Sequence, residues 1–244
     1  MFDHATTLDI LRDGEIEVVG RIVGSSNNAM FVRMRRDCPD PEPVQRLDAI
    51  HKPTAGERPL DDFPDGTLTR REVAAWHVSE AIGWDIVPPT ILRDGPFGEG
   101  MLQAYIEPDP MVDVYQMVVD PDPRLRRMAV FDAVINNTDR KGGHILPIDD
   151  GAHIQGVDHG VCFSTVPKLR TVLWGWRGEP FEPDEIDGLT RVRDALDGDL
   201  GTELDALLSR AEVRATRRRV ADLLADGCFP MPSEHWPAIP WPAF

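Results

Sequence analysis

Basic charge is in short supply in this 244-residue sequence: 26 Lys and Arg stand against 42 Asp and Glu, a formal net charge of −16. That surplus repels a phosphate backbone or an anionic membrane, so nucleic-acid binding is not expected. Cysteine is scarcer still. Cys38, Cys162 and Cys228 are odd in number, widely separated and without a CxxC pair, which argues against a disulfide framework or a zinc ribbon and fits a reducing compartment. No uninterrupted apolar run approaches the roughly 20 residues that span a bilayer, so no stable membrane insertion is expected. The opening stretch MFDHATTLDI has acids where a secretory leader would have basic and then apolar residues, and a cytoplasmic location is the expectation. Internal repeats are absent as well.

What is present suits a folded chain. Hydrophobic residues make up 41% and charged residues 28%, enough for a sizeable core, while 22 prolines keep the regular elements short. EIEVVGRIVGSSNNAMFVRMR, from Glu15 to Arg35, reads as a hairpin around a small-residue loop at 24–28. A third strand is expected at LDAIHK, ending at Lys52 before Pro53. Thr69 and Glu72 have capping-box spacing ahead of a helix over RREVAAWHVSEAIGW, whose apolar positions Val73, Trp76, Ala81 and Ile82 recur at helical intervals. DIVPPTILRD and MLQAYI form a second hairpin around GPFGEG. EPDPMVDVYQ is a proline-punctuated joint, followed by a helix from Arg124 to Ile135 with Pro123 near its start. A further hairpin turns at Asp149, Asp150 and Gly151, EPDEIDGL opens another helix, and 202–227 is expected to be the longest.

The helix at 124–135 delivers the chain to NNTDRKGGHIL, residues 136–146. Asp139 lies five residues before His144 on a loop between helix and strand, and Asp158 one hairpin later. Two carboxylates and an imidazole brought together this way suit a divalent cation or a polarised hydroxyl. Gly142 and Gly143 would let backbone approach a ligand. The plainer alternative is a polar turn with His144 hydrogen-bonded in the core.

The order of these parts resembles the protein-kinase-like fold, in the atypical branch that holds phosphatidylinositol 3- and 4-kinases and HipA-like kinases. The stretches that bear the likeness are AIHKP, RRE, NNTDRKGGH and VDHG, from Gly20 to about Gly160. More narrowly, HKPTAGERPLDDFPDGTL, VPPTILRDGPFG and the IPWP ending resemble small actinobacterial proteins related to phosphatidylinositol kinases. The resemblance implies an α+β, two-lobed fold: a β-rich N-lobe with one main helix over 1–107 and a largely helical C-lobe over 108–228. The Pro/Trp-rich tail, 229–244, is expected to pack on the body through Trp236, Trp241 and Phe244.

It also implies roles. Lys52 would contact the α- and β-phosphates of ATP with Glu72 as its ion-pair partner, although Glu80 is a rival. The loop with Ser25, Ser26 and Asn27 would cover the phosphates without a GxGxxG motif, and Gln103, Ala104 and Tyr105 would fall at an adenine-binding hinge. Asp139 would orient or deprotonate the attacking hydroxyl, and Asp158 would hold the bridging metal. His144 replaces the usual asparagine ligand, which shifts the expected ion from Mg²⁺ towards Mn²⁺. Lys141 stands where lipid kinases have histidine; it can neutralise a transferring phosphoryl group but cannot act as a base near neutrality without a large pKa shift. Lys168, Arg170 and Arg177 would lie where an acceptor is recognised, while 217–219 reads as a solvated helix face.

The expected activity is ATP- and metal-dependent phosphotransfer to a hydroxyl of a protein, the chain itself included, or of a small molecule, ahead of a phosphoinositide. The alternatives are a catalytically impaired nucleotide-binding regulator, a nucleotidyl transferase, and, outside the resemblance, a 2-His-1-carboxylate iron site from His144, Asp158 and His159.

Overall fold

The computed structural model describes residues 2–23, 27–39 and 43–244. By internal contacts the chain divides into one unit of Met1–Val73 and Pro88–Ile106 and another of Ala74–Val87 and Glu107–Phe244. Residues 74–87 are tied to the second unit by the Gly156 N–H, which donates to the Ile86 carbonyl at 2.7 Å, and by the Arg191 guanidinium on the Ile82 carbonyl at 2.6 Å.

In the first unit β1 (Glu15–Arg21), β2 (Met30–Arg36), β3 (Gln45–Pro53), β4 (Thr90–Gly95) and β5 (Gly98–Ala104) form one antiparallel sheet in the order β1-β2-β3-β5-β4. Alternation fixes its faces: in β2, Val32 and Met34 are buried while Arg33 and Arg35 are exposed. An unexpected helix, α1 (His4–Asp13), covers the sheet, its Ile10 and Leu11 packing with Val32, Met34, Ala49, Leu102 and Ala104. The Asp3 carboxylate accepts the Thr6 N–H at 2.7 Å to open α1, and Arg93 closes it by donating to the carbonyls of Leu11 and Gly14 at 2.7 and 3.0 Å. Only Thr7, Ile10 and Leu11 are buried on this helix, too narrow a stripe to stand out in the sequence.

Helix α2 (Leu68–Ile82) corrects the expected capping box. Thr69 is already inside the helix, and the first amides, of Leu68 and Thr69, donate instead to the Glu57 carboxylate at 3.1 and 2.8 Å. The cap comes from Glu57, and Glu72 pairs with Lys52.

The second unit holds α3 (Val114–Val119), α4 (Arg126–Ile135), the hairpin β6 (Ile145–Ile148) and β7 (His153–Gly156), α5 (Pro183–Leu196), α6 (Asp199–Leu207) and α7 (Arg210–Asp226). The β6–β7 turn has Asp149, Asp150 and Gly151 at φ 52°, 55° and 76°, a left-handed run those residue types tolerate. The joint expected over 107–116 runs into a helix from Val114, because Asp113 caps it through the Gln116 N–H at 3.1 Å. The single long helix expected over 202–227 is two. Ser209 breaks it: its hydroxyl accepts the Glu212 N–H at 3.3 Å while the Glu212 carboxylate accepts the Ser209 N–H at 2.8 Å. Among the described residues no helix is long and apolar enough to cross a membrane.

Acidification has a definite consequence. His51 is fully buried, neither ring nitrogen has a hydrogen-bond partner among the described residues, and burial followed by the Arg93 charge pushes its pKa down. The unfolded chain therefore binds a proton near pH 6.5 that the folded chain refuses, so the folded state loses stability below about pH 6.5, by up to about 1.4 kcal/mol per pH unit from this residue. His153, raised by its hydrogen bond to Asp85, acts in the opposite direction. Urea midpoints measured between pH 7.5 and 5.5 are expected to fall less in His51→Leu than in wild type; equal slopes would contradict this assignment.

Candidate active site

Helix α4 is buried along almost its whole length and stops at Asn136, which takes a left-handed φ of 51°. The Asn136 side-chain amide donates to the carbonyls of Ser164 and Val166 at 3.0 and 2.7 Å, and its oxygen accepts the Lys168 N–H at 3.0 Å. That amide staples the segment after Asp158 beside the start of the loop. Asn137 continues the frame: its Nδ2 donates to Asp132 Oδ1 at 2.9 Å, and its Oδ1 accepts the Asp139 N–H at 3.0 Å.

The loop is built around a buried pair absent from the sequence-based site. Arg140 and Asp132 have no solvent exposure at all, and the guanidinium meets the carboxylate through Nε and Nη2 at 2.9–3.1 Å. Arg140 also donates to the carbonyls of Val157 and His144 at 3.1 and 3.3 Å and lies 2.6 Å from His159 Nε2. Thr171 adds a hydroxyl to Asp132 at 3.2 Å. One guanidinium thus connects α4, the loop and the residues flanking Asp158. The DR dipeptide in NNTDRKGGH was a visible signal, but Asp132 was hidden among the apolar residues of α4.

On this frame the remaining polar groups pair with one another. Lys141 Nζ donates to Asp139 Oδ2 at 2.9 Å. His144 Nε2 lies 3.4 Å from Asp158 Oδ2, and Asp158 itself has a left-handed φ of 63° with a half-exposed side chain. Burial pushes the His144 imidazole down, against the opposing pull of Asp158, so it is neutral near pH 7. His144 Nδ1 faces the Lys141 N–H at 3.5 Å, a long contact that is easily given up when the imidazole changes tautomer.

One carboxylate and one imidazole nitrogen are donors that a divalent ion would accept. Among the described residues no cluster of three or more His, Cys, Asp or Glu side chains gathers to hold a metal, but Mg²⁺ keeps waters and phosphate oxygens and needs only one or two protein donors. Asp158 and His144, 3.4 Å apart, are the two side chains that would offer such donors. The iron alternative fails here, because His159 is fully buried with Nε2 against Arg140 and its ring edge-on to Phe131.

Two glycines behave differently. A Cβ on Gly142 would run into the Phe244 ring, and the Gly142 N–H donates to the Ala243 carbonyl at 2.8 Å, whereas Gly143 faces open space. The tail is therefore seated on the loop. It is held by Phe244, which also meets Tyr115 edge-on, and by Trp236 under Lys168. Trp241 corrects the expectation: it is 89% exposed.

In the first unit Lys52 Nζ meets Glu72 Oε1 at 2.6 Å with both side chains largely shielded. The Gly100 position leaves no room for a Cβ against the Lys52 carbonyl, so the two strands close tightly where Lys52 leaves the sheet. Asn27 is anchored by accepting the Arg58 N–H at 2.9 Å, while Ser25 and Ser26 lie outside the described residues. Gln103 is a central-strand residue whose side chain donates to Thr90 at 2.8 Å. The N–H groups of Ala104 and Tyr105 donate to the carbonyls of Pro89 and Asp48 at 2.9 and 3.0 Å. Those two N–H donors are used within the fold.

No family profile matches the chain. Protein Rv2133c of Mycobacterium tuberculosis is 43% identical over 270 aligned positions, covering 96% of this chain and 94% of that protein. Phosphatidylinositol 4-kinase gamma 4 of Oryza sativa is 27% identical over 184 positions, 66% of this chain but only 32% of the plant protein. Among solved structures, a Helicobacter pylori proinflammatory kinase, CtkA, superposes with a TM-score of 0.52 at 13% identity, covering 89% of this chain and 94% of that one. That likeness gives the mixed α+β chain a kinase-like fold. At 43% identity over nearly the whole of both sequences, the chain belongs to the family of the mycobacterial protein Rv2133c.

Proposed function

We propose that this chain is an ATP- and divalent-metal-dependent phosphotransferase that moves the γ-phosphoryl group of ATP to a hydroxyl. The observation that carries the reading is the shielded 2.6 Å pair of Lys52 and Glu72. A shielded ammonium paired with a carboxylate is held in one orientation and keeps its charge, which is what gripping α- and β-phosphate oxygens would require. Residues 1–107 would serve the nucleotide and 108–228 the chemistry, with Asn27 and the neighbouring serines covering the phosphates.

Asp139 would accept the proton of the attacking hydroxyl as its oxygen bonds to phosphorus and the bond to ADP breaks. Lys141, 2.9 Å from that carboxylate, would orient it and meet the negative charge of the transferring group. Asp158 and neutral His144 would hold Mg²⁺ or Mn²⁺, whose charge would offset that of the phosphate oxygens. The Asp132–Arg140 pair would position all of these without touching substrate.

The acceptor is proposed to be a protein hydroxyl or a small polar molecule ahead of a phosphoinositide. Arg170 and Arg177, which a headgroup would need, already donate to the carbonyls of Pro237 and Trp174 at 3.2 and 3.0 Å. A second reading, a nucleotide-binding regulator that transfers nothing, is favoured by one contact, the Lys141 ammonium already seated on Asp139.

The test is nucleotide binding by calorimetry. Lys52→Met is expected to weaken ATP binding in Mg²⁺ by about ten- to a hundredfold, the loss of one or two charge-assisted hydrogen bonds. Equal affinity in the variant would remove the proposal's main support.

A further inference from the structure

The run Arg217, Arg218 and Arg219 is not the uniformly solvated face that its composition suggests. Arg217 pairs with Asp197 and Arg218 is exposed, but Arg219 turns inward and donates to the carbonyls of Val134 and Ser164 at 2.7 and 3.1 Å. No carboxylate forms a salt bridge with Arg219 among the described residues, and burial pushes its guanidinium down to about 10. Carbonyl dipoles satisfy its donors but do not neutralise its charge.

Arg219 lies on the wall of a cavity of about 730 Å³ in the second unit, formed by α7, the end of α4 and residues 165–169. Lys168, Arg214 and Arg218 also line it, against one acid, Asp222. Four cations to one carboxylate invert the sign of a chain whose net charge is −16, and a concave wall concentrates that field. The rest of the wall is mainly apolar, with Leu169, Trp174 and Met231. A volume in this range suits a small molecule that is part anion and part apolar.

We propose that this cavity is a second binding site, for a small soluble amphipathic oxyanion. Its phosphomonoester or carboxylate head pairs with Arg218 and Arg219, and its apolar body lies against Leu169, Trp174 and Met231. The head supplies the counter-charge that Arg219 lacks, through short charge-assisted hydrogen bonds. A membrane-borne version of the same headgroup is disfavoured, because a −16 chain is repelled by an anionic surface. The site also touches the catalytic loop's supports. Arg219 and Asn136 share the Ser164 carbonyl, so an occupant that draws on Arg219 acts on the segment that Asn136 staples. This inference does not rest on the phosphotransfer reading.

The test uses the full chain without nucleotide and hexyl phosphate as the probe, titrated by calorimetry beside inorganic phosphate and hexanol. Hexyl phosphate is expected to bind about tenfold or more tightly than either half alone, since charge and apolar burial act together. Arg218→Glu and Arg214→Glu are both exposed changes that leave the fold intact, and each is expected to weaken binding about tenfold. Arg219→Met is the sharper variant but removes two structural hydrogen bonds, so its melting temperature is read alongside. Three results would overturn the proposal: no hexyl phosphate binding at millimolar concentration, equal binding by the Arg218 and Arg214 variants, or binding only to phosphatidic acid vesicles.

Discussion

Asp132→Ala is expected to cost about 3–5 kcal/mol of folding stability, because it leaves the Arg140 guanidinium buried without its counter-ion. Neither side chain reaches solvent, so water cannot replace the missing carboxylate. Arg140 would retain the Val157 and His144 carbonyls, which satisfy donors but not charge. Against a total stability of about 5–15 kcal/mol, the variant would sit near the edge of folding. Urea denaturation measures it directly. A double change, Asp132→Leu with Arg140→Met, is expected to recover much of the loss, since it removes the buried charge with its partner. A loss below about 1 kcal/mol in Asp132→Ala would mean that the pair does not hold the loop.

Asp158→Asn is expected to reduce metal-dependent phosphate transfer about a thousandfold, the order given by losing several kcal/mol of charge stabilisation. Asparagine tolerates the left-handed φ of 63° at this position, and the half-exposed side chain contributes little to the core. Melting temperature should therefore stay at the wild-type value while transfer collapses. Transfer at the wild-type rate in this variant would remove Asp158 from the chemistry. His144→Asn is the companion change: by restoring an amide ligand it is expected to shift preference from Mn²⁺ towards Mg²⁺ without abolishing transfer.

Much of this arrangement was legible in the sequence. Alternating apolar residues in MFVRMR and the turn residues Asp149, Asp150 and Gly151 announced hairpins that the structure contains. The helix ending at Ile135 and the loop after it were equally plain, since periodicity and loop chemistry are local signals. What escaped was set by distant partners. The end of α1 is fixed by Arg93, some eighty residues away, and the start of α2 is capped by Glu57 across a loop. Ser209 split the last helix by a capping box that its polar surroundings concealed. Asp132 is one acid within an apolar helix, and nothing local in the sequence marks Arg140, eight residues on, as its partner. Arg219 escaped for the same reason, as a run of three arginines does not reveal which one turns inward.

The central claim is that NNTDRKGGHIL is a phosphotransfer loop with Asp139 as its proton acceptor. The most direct measurement incubates wild type and Asp139→Ala with ATP labelled in the γ-phosphate or in the adenosine, in Mg²⁺ and then in Mn²⁺, with the chain itself and a Ser/Thr-rich protein as acceptors. The account predicts γ-label transferred by wild type and lost in Asp139→Ala, with no adenosine label on any acceptor. Adenosine label on an acceptor, or equal γ-transfer by both proteins, would contradict it.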